Sequence, residues 1–360
     1  MAKVFRYFLG VHSPQGYVFR PDQLGEPGRW RCWVVMGGAA ATRSQLIAGV
    51  RKAMEERCSV IEELLSSTDP SVLDGAIFPG LSASIADGEP PHAIRPRYPG
   101  FFEQPVPLWD CLDRTALWDC REELLARSRE AERLSADAGG YLYAAGALMR
   151  ELASVGAAAM DREKLLAYAR RLAAREFPRS SGNKGKPEKA RFVSAITGEG
   201  RVLLRDTIAA AAPRIIAIED NWGAVSNALL EAIEELAIQT GNEVVTCRCP
   251  LFPFTKIDHL LLPQLGLGFV TLNRATGPAL SGLQERTIHA ARFTDPELPR
   301  RHRARGRFLR KAVSGMLDQA ATVLGQAAEV RRGVDEILLA ATDQTEVEKV
   351  TERVIDEMTK

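Results

Sequence analysis

No apolar run in this chain of 360 residues approaches the roughly 20 that a helix needs to cross a bilayer. Residues 1–10 contain neither a long apolar core nor a small-residue cleavage site, so the expectation is a chain without a secretory leader. An excess of charge of one sign is also missing. Lys+Arg (47) and Asp+Glu (46) leave a net charge of +1, and no global field draws the protein toward nucleic acid or a membrane surface. The six cysteines (Cys32, Cys58, Cys111, Cys120, Cys247 and Cys249) are scattered through a chain too long to need staples, and they read as reduced thiols of a cytoplasmic protein. The remaining composition, 46% hydrophobic and 26% charged, is that of a globular protein with length for two domains.

Internal repetition organises the chain. Phe8-Leu9-Gly10 followed by Gly16-Tyr17-Val18 resembles Phe192-Val193-Ser194 followed by Gly200-Arg201-Val202. Leu73-Asp74, Ile77-Phe78-Pro79-Gly80-Leu81 and Ile85 align without a gap on Ile257-Asp258, Leu261-Leu262-Pro263-Gln264-Leu265 and Phe269. Between these anchors each half carries a β-rich run, 31–36 and 214–218, then a loop and an amphipathic helix. The helical stripes are Leu46, Ile47, Val50, Met54 and Leu229, Leu230, Ile233, Leu236. Helix-like segments 117–129, 141–154 and 162–176 follow the first copy, and 308–330 and 345–358 follow the second. The string FPRSSGNKGKPEK, residues 177–189, has no hydrophobic period and reads as a linker. The fold class expected is α/β: two tandem domains of P-loop NTPase type, 1–176 and 190–360, with mainly parallel sheets and helical appendages.

Strand, Gly-rich loop, helix is the context in which a phosphate-binding loop is sought. In the first copy the window is Gly37-Gly38-Ala39-Ala40-Ala41-Thr42-Arg43-Ser44, against a template of G-x-x-x-x-G-K-[ST]. Gly37 fills the first position and Ser44, the candidate Mg²⁺ ligand, fills the last. Thr42 replaces the second glycine, and a β-branched residue resists positive φ, so the loop is either strained or relaxed to another shape. Arg43 keeps the charge of the lysine without its compact ammonium. The second copy reads Glu219-Asp220-Asn221-Trp222-Gly223-Ala224-Val225-Ser226, with two carboxylates where phosphates would sit and Val225 in place of the lysine. A nucleotide there is expected to meet repulsion.

Further stretches carry a family likeness: RYFLGVHSPQGYV (6–18), VVMGGAAATRSQ (34–45), SVLDGAIFPGL (71–81) and ADGEPPHAIRPRYPG (86–100), with 191–202 and 257–265 in the second half. Through them the chain resembles a family of uncharacterised bacterial tandem P-loop ATPase-like proteins, found largely in spore-forming Gram-positive bacteria. Typical members have two NTPase domains and a full GGPGTGKST loop. The resemblance implies a tandem P-loop fold, and ATP with Mg²⁺ as the ligands of a typical member. It places Gly37, Gly38, Ala39, Ala40, Ala41, Thr42, Arg43 and Ser44 in the phosphate loop. Asp87 falls at a Walker-B-like position, where with Ser44 it is a candidate metal ligand; its counterpart in the second copy falls near Thr271.

Other candidates are weaker. Asp74 and Asp258 are acidic residues matched between the copies, and a shared structural job is expected of them. His92, among Pro90, Pro91 and Pro96, is read as ordering an irregular loop, and His12 sits in a turn between strands. Two Trp-Asp-Cys strings, 109–111 and 118–120, give no metal geometry on one helix, because their nine-residue step puts the cysteines on opposite faces. No nucleophile–base pattern is found, and no catalytic residue is assigned. The basic run PRRHRARGRFLRK, 299–311, lacks aromatic interleaving. The leading functional reading is a degenerate NTPase-like protein, a pseudoenzyme binding nucleotide or a simple anion weakly or not at all, that works as a scaffold for a protein partner. The alternatives are an ATP-binding protein or ATPase using an atypical first loop, and a binder of nucleic acid or an acidic partner through 299–311.

Overall fold

The computed structural model describes residues 2–178, 189–273 and 282–360. In chain order the first half contains β1 (Lys3–Phe8), the hairpin β2 (Gly10–Ser13) and β3 (Gly16–Phe19), β4 (Arg31–Met36), α1 (Ala40–Ala53), β5 (Val60–Leu65), β6 (Leu73–Phe78), β7 (Ala83–Asp87) and β8 (Glu103–Pro107). Helices α2 (Arg114–Asp119), α3 (Arg121–Ala158) and α4 (Arg162–Glu176) follow. The second half runs β9 (Lys189–Arg191), β10 (Ser194–Thr197), β11 (Gly200–Leu203), α5 (Arg205–Ala211), β12 (Arg214–Glu219), α6 (Ala224–Gln239), β13 (Val245–Cys249), β14 (Phe252–Leu262), β15 (Leu267–Leu272) and β16 (Gln284–His289). It ends in α7 (Glu297–Arg301), α8 (Arg303–Ala340) and α9 (Gln344–Thr359).

The fold is α/β with two six-stranded mixed sheets, and their strand orders correspond. The first is β1-β5-β6-β7-β4-β8 and the second, from its opposite end, β9-β13-β14-β15-β12-β16. In each, one strand (β6 or β14) is antiparallel to both neighbours, and all other pairings are parallel. The apolar runs of β4 and β12 are buried on both faces, as a central parallel strand requires. The repeat anchors meet in space: Phe8 N–H donates to Phe192 C=O at 2.8 Å, joining equivalent residues of the two copies. Around this junction a shared core takes Leu9, Val34 and Ile77 from one half and Val193, Ile215 and Leu261 from the other. The buried Arg191–Glu62 ion pair at 2.7 Å crosses the same boundary.

The helical appendages exchange places. α3 and α8 run antiparallel along each other, tied by Arg331 to Ser135 at 2.7 Å and Arg305 to Glu151 at 2.5 Å. Past α3 the chain crosses over, and α4 lays Leu165, Ala169 and Leu172 on α6 of the second half. Past α8 it crosses back, and α9 lays Val347, Val354 and Met358 on α1 of the first. Both crossing helices are capped by an aspartate: Asp161 accepts from Lys164 N–H, and Asp343 from Thr345 and Glu346 N–H. Of the linker string, residues 179–188 lie outside the described residues; Phe177 is buried in the second half's core and Lys189 opens β9.

Candidate functional site

In an open α/β sheet, ligands bind beyond the carboxyl ends of the parallel strands. At that edge of the first sheet the structure gathers the end of β4, the start of α1, the end of β7 and the residues that follow it. Within the window 37–44, positive φ occurs only at Gly37 (81°) and Gly38 (72°). α1 starts at Ala40, so the window expected to be loop is helical from residue 40 onward. The reason is local: three alanines are good helix formers, and Thr42 in a helix avoids the positive φ that its branched side chain resists. Thr42 and Arg43 are buried in the first turn. The loop has relaxed rather than remained open.

Arg43 does not face outward. Its Nε donates to Asp87 Oδ1 at 2.8 Å and its Nη1 to the carbonyl of Gly38 at 2.6 Å, with both ion-pair side chains more than nine-tenths buried. Burial pushes the Asp87 carboxyl up, opposed by the Arg43 guanidinium. Two of the loop's own donors are occupied. Gly37 N–H donates to Glu89 Oε1 at 2.7 Å, and Ala40 N–H to Asp335 Oδ1 at 2.8 Å, across from α8. The Asp335 carboxyl is pushed up by burial, while the Ala40 N–H and the nearby Arg43 and Arg331 pull it down. Ser44 Oγ is turned to the sheet, where it accepts from Leu73 N–H at 3.0 Å. A Cβ on Gly37 would meet the Trp109 ring at 2.5 Å, so the indole lies against the loop. Of the candidates, Gly37, Gly38, Arg43 and Asp87 are brought together, Ala39, Ala40 and Ala41 enter the helix start, and Ser44 is directed elsewhere. In this arrangement the residues do not fit a triphosphate with Mg²⁺, because the amides at 37 and 40 and the cation at 43 are all held by the protein's own groups.

Beside this loop is a buried polar cluster. His92 Nε2 meets Asp74 Oδ2 at 2.8 Å, with both side chains buried. The Tyr17 ring lies edge-on to His92 and His12, with centroids 5.3 and 5.1 Å away. Burial pulls the His92 imidazole down, but the charge and hydrogen bond of Asp74, with Asp87 beyond, carry it above its ordinary value. His12, buried without a carboxylate, is pulled down to about 3. The order expected around His92 is thus an ion pair from the loop to β6.

The second loop closes by itself. Asp220 is 1% exposed and accepts from Trp222 N–H at 2.9 Å and Ser226 N–H at 2.8 Å. Its carboxylate lies at the N-terminus of α6, where an anion would be bound. Val225 is buried in the core, and Glu219 faces out to His289. Asp258, the counterpart of Asp74, is again paired with a buried cation, Lys256. Thus the two aligned aspartates share one job, neutralising a buried positive group.

In the basic run, Arg300 pairs with Glu297, Arg305 with Glu151, and Arg310 stacks on Trp222. Burial pushes the thiols of Cys32 and Cys249 up to about 12, which makes them poor nucleophiles. Among the described residues, no group of three His, Cys, Asp or Glu side chains is placed to hold a metal ion, and no helix is long and apolar enough to cross a membrane.

Sequence reasoning missed Glu89 and Asp335. Glu89 lies within the ADGEPPH string, two residues after Asp87, and its proximity to a Walker-B-like position was a usable signal. Asp335 reaches Ala40 from 295 residues away and leaves no local trace. Compared with protein-family models, with curated proteins and with solved structures, the chain matches none of them.

Proposed function

We propose that this chain is a degenerate tandem P-loop NTPase-like protein whose two phosphate loops are closed by its own carboxylates, and that it works as a scaffold or interaction module rather than by nucleotide turnover. The observation that carries the reading is the occupied first loop: Glu89 and Asp335 hold the amides of Gly37 and Ala40, and Arg43 is bonded to Asp87 and Gly38. A hydrolysing loop must aim its backbone donors and a cation at the β- and γ-phosphates. Here an incoming phosphate would have to displace two carboxylates and break a buried ion pair to reach the amides of Gly37 and Ala40 and the Arg43 cation. Each preorganised donor lost costs on the order of 10²–10³ in rate in enzymes that use one, so turnover is not expected. The self-capped second loop supports the same reading, with Asp220 in the phosphate position.

The test frees the first loop. Glu89→Ala with Asp335→Ala removes the internal acceptors, and Thr42→Gly with Arg43→Lys restores template residues. Titration of the fourfold variant with a fluorescent ATP analogue and Mg²⁺ should give saturable binding that the parent chain lacks. Equal affinity in parent and variant would defeat the proposal.

A further inference from the structure

We propose that the cavity between α3 and the second loop is a binding site for a small organic acid with one anionic head and an apolar body. The cavity has a volume of about 400 Å³, within the range of small-molecule sites. It is bounded by the last turns of α3, by residues 221–228 at the start of α6, by residues 252–256 and by Asn273 at the end of β15. That is the carboxyl edge of the second sheet, where an open α/β sheet places its ligands. One wall is apolar, with Met149, Leu152, Ala153, Ala157 and Phe252.

Three basic side chains line the same cavity. Lys256 lines the cavity at 8% exposure and is paired with Asp258. Burial pulls its ammonium down, but Asp258 and Cys249 more than offset this and keep it protonated. An ammonium carries three donors, and Asp258 accepts one of them. Arg150 and Arg162 stand at the same cavity, exposed on α3 and at the start of α4, and Arg150 lies over the Phe252 ring. Asn227 adds a polar side chain, although its Nδ2 and Oδ1 bond Glu231 and Ile257 N–H.

The wall is fixed in place. A Cβ on Gly156 or on Gly306 would come within 2.7 Å of the Trp222 side chain, so the indole is wedged between α3 and α8. The class of ligand follows from the charges that face the cavity. Glu231 lines it, and Asp258 lies behind Lys256. The Asp220 carboxylate is committed to the N–H groups of Trp222 and Ser226. Several negative charges this close repel a triphosphate, whereas one carboxylate or sulfonate can be met by Lys256 and the two arginines while its hydrocarbon lies on the α3 wall. The inference is independent of the closed first loop.

The probe is 8-anilinonaphthalene-1-sulfonate, an aromatic body with one sulfonate, titrated into the full chain by fluorescence. One probe per chain is expected, displaced by hexanoate and not by ATP. Ala153→Trp, which fills the cavity from the face of α3, should abolish binding with an unchanged far-UV circular dichroism spectrum. Arg162→Glu, on the surface, should weaken binding by about tenfold, the scale of one charge-assisted contact. Absence of probe binding, parent-like binding by both variants, or displacement by ATP as effective as by hexanoate would overturn the proposal.

Discussion

Replacing Arg43 by methionine, which keeps the length and removes the charge, is the sharpest perturbation of the closed loop. Asp87 would keep the hydrogen bond from Glu89 N–H at 2.8 Å and would lose the guanidinium that faces it at 2.8 Å. The carbonyl of Gly38 would lose its 2.6 Å donor as well. Removing one partner of a buried pair costs about 3–5 kcal/mol, because the other charge is left without compensation. Arg43→Met should therefore destabilise by that amount at pH 7. Adding Asp87→Asn removes the stranded charge and keeps an acceptor for Glu89 N–H, so the double variant should recover all but ~1–2 kcal/mol, the scale of lost neutral hydrogen bonds. The pH dependence has a definite sign. Burial raises the Asp87 carboxyl already, and without Arg43 it rises further. A raised carboxyl destabilises the folded state above its folded pKa and ceases to do so as pH falls through it. The cost of Arg43→Met should thus shrink from pH 7 toward acid. Urea unfolding followed by circular dichroism measures it. A cost below about 1 kcal/mol, the scale of an exposed pair, would refute the picture of a buried pair locking the loop.

Other perturbations follow from the same contacts. His12 has a folded value of about 3 against 6.5, so stability should fall as pH drops below about 6.5 and continue to fall toward 3. His12→Phe should flatten that limb of a pH–stability curve, since Nε2 of His12 has no hydrogen-bond partner to lose. Val354→Asp, buried where α9 crosses onto α1, should cost at least about 3 kcal/mol for an unpaired charge and lost apolar burial, read by thermal unfolding. Asp220→Ala removes both carboxylate bonds to the second loop and should cost ~1–2 kcal/mol, the scale of a lost helix cap, read by the same assay.

Much of the architecture was legible in the sequence. The aligned anchors at Phe8 and Phe192 and at Asp74 and Asp258 mark equivalent places in two sheets of corresponding strand order, because strand pattern and turn residues are local signals. Segment 162–176 coincides with α4, where Asp161 and an apolar stripe mark the start and the buried face. By contrast, 117–129 begins in α2 and passes Cys120 into α3, and 141–154 lies in that same α3, which runs unbroken through the Gly139-Gly140 pair because the pair lies in helix rather than at a turn. The exchange of α4 and α9 was not legible, because an amphipathic stripe states that a face is buried without naming what covers it. At the site, the departures at Thr42 and Arg43 signalled a changed loop. Its closure rests on Asp335 and on the direction of the Arg43 side chain, and both are set by tertiary packing.

The closed loop is tested most directly by calorimetric titration of the full, unaltered chain with ATP and Mg²⁺. The closed loop predicts no saturable heat up to ~1 mM, the level at which binding is worth only about 4 kcal/mol. A single site of micromolar affinity that Arg43→Ala abolishes would contradict it.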